Sequence, residues 1–217
     1  MNWILLQTIQ MICVNTITLW FQVNAMTIIE HKKEIRKRML RERGSLDATA
    51  KSAYDRWICE ALERIIRNRG YKVIHSYIPL SAEIDIRPLL YVLLDMECTV
   101  VCPKTLPKRK LENRILRSMD ALETGIMGTQ HPSEAHVYEG PFDLIIVPGL
   151  AYDSARYRVG YGGGYYDNFI ISQPSAATIG IFYPQQQIEK VPLEPHDMQL
   201  NEILVKKSFS SDENTTP

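Results

Sequence analysis

One stretch constrains this chain more than any other: Asp143 to Asp167, reading D-L-I-I-V-P-G-L-A-Y-D-S-A-R-Y-R-V-G-Y-G-G-G-Y-Y-D. Leu144 to Val147 is a short, unbroken apolar run, the pattern of a strand buried on both faces of a parallel sheet. Pro148-Gly149 ends it. A loop follows that carries Arg156, Arg158 and the glycines Gly160, Gly162, Gly163 and Gly164. Tyr165-Tyr166-Asp167 then opens an amphipathic segment of helical period. A strand, a glycine-rich turn and a helix start, in that order, make a natural anion site. Glycines let the backbone approach a ligand, and the unpaired N–H groups at a helix start favour phosphate.

The common phosphate fingerprints do not fit. G-x-x-x-x-G-K-[ST] is absent, and G-x-G-x-x-G fails because Tyr165 stands where the third glycine belongs. Two arginines and an aspartate beside the glycines still exceed what turn chemistry alone requires.

V-P-G-L-A-Y-D and R-V-G-Y-G-G-G-Y-Y-D resemble the signature of the 5-formyltetrahydrofolate cyclo-ligase (5,10-methenyltetrahydrofolate synthetase) family. The resemblance extends from about His31 to about Val205. It implies a single-domain α/β fold, with a mostly parallel sheet and helices on both faces, related to the sugar-isomerase and CoA-transferase-like group. The alternation of strand and helix patterns along the chain agrees. It also implies ATP as co-substrate and Mg²⁺ as metal, with 5-formyltetrahydrofolate, polyglutamylated or not, as the other substrate.

The family's first helix carries K-x-x-x-R, whose Lys and Arg contact ATP, the Arg also the substrate. Between Thr27 and Arg43, Lys32 and Arg36 hold that spacing, and Lys33 and Lys37 repeat it one position on, so two registers are open. Without the resemblance this is a solvated basic face. The family has a Glu that binds folate and an apolar residue, five before it, that lines the same pocket; these correspond to Glu83 and Ile78. Arg158, Gly160, Tyr161, Gly162, Gly163, Gly164, Tyr165 and Tyr166 correspond to its ATP-binding loop, with Tyr161, Tyr165 and Arg36 also toward the substrate. Asp167 and Asp197 correspond to its magnesium ligands. Arg158, Lys32 and Arg36 would stabilise charge during catalysis. Many relatives have Arg and Lys where this chain has Tyr161 and Gly163; others have an aromatic residue and Gly. The resemblance implies that a lysine at 163 is tolerated, and the aromatic face of Tyr161 is suited to stacking on a ring of the ligand.

Coarser features set the background. At 217 residues and 45% hydrophobic, the chain suits one domain with a real core. With 25 basic and 25 acidic residues it lacks the excess that nucleic-acid binding needs. Cys13, Cys59, Cys98 and Cys102 form no C-x-x-C, and the histidines show no metal-ligand spacing, which favours reduced thiols in a cytoplasmic protein. No stable protein partner is expected, and the chain should be a monomer or weak dimer. Residues 1–26 are uncharged, lack a basic start, and are interrupted by Gln7, Gln10 and Asn15; an upstream extension outside the fold is expected, with membrane or organelle targeting as the alternative. The domain is expected over 27–207 and a disordered tail over 208–217.

Further expected elements are a helix from Asp47 to Asn68, strands at Lys72–Ile78, Cys98–Cys102 and Ile115–Ser118, a helix over Ile84–Leu94, a strand at Ala177–Phe182, and a short strand near Ile203. The basic cluster Lys108, Arg109 and Lys110 reads as a solvated loop. Two rival readings stay open: a non-catalytic folate- or RNA-binding paralogue, and a sugar-phosphate isomerase of the same fold.

Overall fold

The structure, a computed structural model, describes residues 27–134 and 136–206. The expectations for residues 1–26 and 208–217 lie outside the described residues.

Helix α1 (Ile28–Gly44) begins in a capping box: the Thr27 side chain accepts the Glu30 N–H, and the Glu30 carboxylate accepts the Thr27 N–H. Its buried positions are Lys32, Ile35, Met39 and Arg43, one stripe at helical spacing that mixes apolar and basic residues. Helix α2 (Ala48–Arg69) is capped by Asp47, and Gly70 stops it at φ 66°, a left-handed conformation that glycine adopts without strain.

Strand β1 (Val73–His75) is shorter than the expected Lys72–Ile78. Helix α3 (Arg87–Asp95) starts three residues later than expected. Pro88 occupies its first turn, and the Leu80–Glu83 turn ahead of it closes through a Glu83 N–H to Leu80 carbonyl bond of 2.9 Å. Strand β2 (Thr99–Leu106) runs through Pro103 rather than ending at Cys102, and turns back into β3 (Lys110–Ile115), upstream of the expected Ile115–Ser118. Beyond Val101, β2 pairs only with β3. The proline therefore sits in an edge stretch, where a missing N–H is tolerated.

A small hairpin of β4 (Leu122–Thr124) and β5 (Gln130–Pro132) follows. Then come β6 (Leu144–Val147), as expected, the hairpin of β7 (Ala151–Tyr152) and β8 (Arg158–Val159), α4 (Tyr165–Ile171), β9 (Ala177–Ile181) and β10 (Glu202–Leu204). The main sheet has the order β10-β9-β6-β1-β2-β3, parallel except for β3. Its strands alternate strictly. Ile74, Val100, Leu144, Ile146 and Ile179 face α2 and α3. Val101, Ile145 and Val147 face Phe169 and Ile170 of α4 on the other side. Helices on both faces of a mostly parallel sheet thus stand as expected. Helix α1 joins neither core. With β7 and β8 it forms a third cluster of Ile35, Met39, Leu150, Ala151, Val159 and Val191.

From β1 the chain moves to β2 on one side and then to β6 on the other, so the strand order reverses between β1 and β6. Open α/β sheets bind ligands at the carboxyl ends of such a pair. No helix among the described residues is long and apolar enough to cross a membrane.

Candidate active site

A cavity of about 410 Å³ opens at the carboxyl ends of β1 and β6. Lys32, Arg36, Ile78, Glu83, Arg158, Gly160 to Asp167 and Asp197 all line it. Residues 78 and 83 follow β1, residues 158–167 follow β6, and α1 contributes Lys32 and Arg36 to the wall. Arg156, in contrast, turns away: its Nε donates to the Leu200 carbonyl at 3.0 Å.

Burial separates the two helix registers. Lys32 is buried and Arg36 half-buried, whereas Lys33 and Lys37 are exposed. Lys32 Nζ bridges Glu194 at 2.8 Å and Asp197 at 2.6 Å. Arg36 Nε donates to the Gly160 carbonyl at 2.9 Å and its guanidinium lies against Gly162, where a Cβ would come within 3.2 Å of Cζ. Gly162 has φ 103° and Gly164 φ 67°, so the loop needs glycine at both positions.

The loop itself is a set of free donors. Among the described residues, no backbone N–H from Gly160 to Gly164 has a protein acceptor. Arg158 is buried; its Nη1 donates to Asp167 Oδ1 at 2.9 Å while its Nε has no partner. The Tyr166 hydroxyl is likewise buried and unpaired. Unpaired buried donors are costly unless a ligand satisfies them, so the lining fits an anion.

Asp167 does more than begin a helix. The same Oδ1 accepts the Met198 N–H at 3.1 Å, which brings its carboxylate to the residue after Asp197. Asp197 Oδ2 accepts the Glu194 N–H at 2.7 Å as well as Lys32. Among the described residues, Glu194, His196 and Asp197 offer donor atoms within 4.8 Å of one another. A histidine therefore does stand in a donor cluster, although sequence spacing shows none. The carboxylates of Asp167, Asp197 and Glu194 are the hard oxygens that Mg²⁺ prefers, with Lys32 in place as the cation that now neutralises two of them.

Beside Tyr161 the cavity wall is apolar with one acid. Ile78 and Tyr77 are buried, and Glu83, 5% exposed, accepts the Leu80 N–H at 2.8 Å. Burial raises the Glu83 pKa, against the Leu80 N–H, the Tyr161 hydroxyl and Arg43. The sequence reading missed Arg43. Its guanidinium donates to the Tyr161 hydroxyl and lies 5.6 Å from that ring's centre. One face of Tyr161 is thus taken, leaving the other for a ligand. Arg43 is seven residues after Arg36 and eleven after Lys32, a spacing on the same helix face that could have found it.

Two further expectations change. A Cβ at Gly163 would meet the Tyr165 ring at 2.6 Å, and the Tyr165 hydroxyl is tied to the Leu106 carbonyl at 3.0 Å, so a lysine there would dislodge a fixed ring. Arg109, at the β2–β3 turn, is no bystander in a solvated loop: it lines the cavity.

The 5-formyltetrahydrofolate cyclo-ligase family profile matches residues 28–206. A probable 5-formyltetrahydrofolate cyclo-ligase of Caenorhabditis elegans is 26% identical over 82% of this chain and 93% of its own length. The 5-formyltetrahydrofolate cyclo-ligase of Haemophilus influenzae is 26% identical over 81% and 98%. The solved structure of Aquifex aeolicus 5,10-methenyltetrahydrofolate synthetase superposes with TM-score 0.71 at 26% identity, covering 86% of this chain and 96% of that one.

Proposed function

From the premise that the chain belongs to the 5-formyltetrahydrofolate cyclo-ligase family, we propose that it closes the imidazoline ring of 5-formyltetrahydrofolate at the expense of ATP, giving 5,10-methenyltetrahydrofolate, ADP and phosphate. The observation that carries this is one cavity lined both by a phosphate-type loop and by a buried acid with apolar neighbours. The formyl oxygen attacks the γ-phosphate and ADP departs. The folate N10 then attacks the activated formyl carbon, phosphate leaves with its oxygen, and N10 loses its proton. An amide oxygen is a poor leaving group, and phosphorylation removes that obstacle.

The protein's part is position and charge, as in other phosphoryl transfers. Arg158 and the N–H groups of Gly160 to Gly164 would receive the phosphates, with Lys32 and Arg36 beside them. Glu83 accepts donors of the pterin ring, a use suited to a carboxylate, while Ile78 and the open face of Tyr161 enclose the ring. Mg²⁺, held by Asp167 and Asp197 with Glu194 within reach, would neutralise the transferring phosphoryl group. The proposal takes the enzyme to be cytoplasmic, a monomer or weak dimer, acting on the substrate with or without its polyglutamate tail, and without nucleic acid or a stable protein partner. The test is absorbance of the methenyl product from purified chain with 5-formyltetrahydrofolate, with and without ATP and Mg²⁺. Folate binding with no product would favour a non-catalytic paralogue.

Glu83 sets a pH signature. Its folded pKa is raised above the ordinary 4.5, so the folded state holds a proton that the unfolded state has lost. Stability therefore falls as pH rises from 4.5 through the folded value. Glu83→Gln removes this dependence. The melting temperature of the variant should match wild type near pH 4, exceed it increasingly as pH rises to the folded Glu83 pKa, and keep a constant lead above that, while the KM for 5-formyltetrahydrofolate rises. Parallel melting curves across that range would mean that Glu83 stays ionised at no cost.

A further inference from the structure

One cation at the cavity is unlike the others. Lys32 is held by Glu194 and Asp197, Arg36 by Gly160, and Arg158 by Asp167. Arg109 lines the same cavity, yet makes no hydrogen bond or ion pair among the described residues. We propose that Arg109 is a nucleotide-binding residue, which closes over the glycine loop and pairs with the outer phosphates of ATP. The proposal rests on the cyclo-ligase reading for its ligand.

Three observations support it. The guanidinium lies against the loop: a Cβ on Gly164 would be in van der Waals contact, 3.5 Å, with both Arg109 Cδ and Nη1. The hairpin that carries Arg109 is fastened to the loop by the Tyr165 hydroxyl bond to the Leu106 carbonyl. And the turn is strained: Lys108 and Arg109 both have φ 59°, a left-handed conformation usually given to glycine or asparagine. Two long basic residues where Gly would be relaxed indicate that the side chain has a use. The use is phosphate because Arg109 lies against Gly164, within the run of unpaired backbone N–H groups suited to an anion. It supplies a cation that this chain lacks at Gly163.

The test separates strain from binding. Arg109→Gly relieves the turn, so its melting temperature should equal or exceed that of wild type. Its Kd for ATP-Mg²⁺, measured by titration calorimetry without folate, should weaken about ten- to hundredfold, the range for losing a charged hydrogen bond. The KM for ATP should rise in step, with the KM for 5-formyltetrahydrofolate unchanged. Arg109→Lys, which keeps the charge, should recover part of the loss. An ATP Kd within twofold of wild type in Arg109→Gly overturns the proposal, and so does a rise confined to the folate KM, which would assign Arg109 to the glutamyl carboxylates. A wild-type chain that binds ATP but forms no product would instead overturn the ligase reading, leaving Arg109 to be judged on the binding constants.

Discussion

Arg158→Ala should lower kcat/KM by about 10²–10³-fold, roughly 3–4 kcal/mol, the cost of removing one donor aimed at developing charge. The expectation comes from what the side chain has left over. Its Nη1 is taken by Asp167, but its Nε is buried without a partner at the wall of the cavity. A phosphoryl oxygen would complete it. The substitution also leaves Asp167, with a side chain 16% exposed, facing the Met198 N–H alone, so some stability is lost as well. The two effects can be separated by steady-state kinetics well below the variant's melting temperature. If kcat/KM there is within about fivefold of wild type, Arg158 is a brace for Asp167, and the backbone N–H groups carry the phosphate.

Lys32→Met should have the largest effect on stability, and a conditional one. Its ammonium sits 5% exposed between Asp197, 9% exposed, and Glu194, 27% exposed. Removing the cation of a buried pair costs about 3 kcal/mol or more. The partial exposure of Glu194 argues for the lower end, and at about 2–4 °C per kcal/mol the melting temperature should fall roughly 5–10 °C in EDTA. Added Mg²⁺ should restore much of that fall and should raise the variant's melting temperature more than that of wild type, because a divalent ion can take the place of the ammonium between the carboxylates. Differential scanning in EDTA and in Mg²⁺, for both proteins, measures this. Equal shifts in the two would mean that these carboxylates serve the lysine and not a metal.

How much the sequence could give depended on the range of the interactions. Leu144–Val147 and the helix expected from Asp47 to Asn68 are written in local chemistry; the structure has the strand as expected and the helix over Ala48–Arg69, with Asp47 as its cap and Gly70 as its stop. Lys32 and Arg36 were legible as a pair, but only burial distinguishes them from Lys33 and Lys37. β2 defeated the reading because Pro103 looks like a stop. That it can sit in a strand follows from where β1 ends, which is a fact of pairing rather than of propensity. Arg109 was lost with it: three basic residues in a row read as solvated until the hairpin places the middle one against the glycine loop. Glu194 gave no signal, since its role comes from a lysine 162 positions earlier in the chain.

The separate packing of α1 has a consequence for how the enzyme breathes. Lys32, Arg36 and Arg158 come from two elements that share one small core of Ile35, Met39, Leu150, Ala151, Val159 and Val191, apart from both faces of the sheet. A cluster of that size has less to lose on local opening than the sheet has on global unfolding. Local opening of that cluster would move the three cations together, without the sheet melting. Under the proposed function, a triphosphate that touched all three would hold that unit shut and so would keep its own recognition surface assembled.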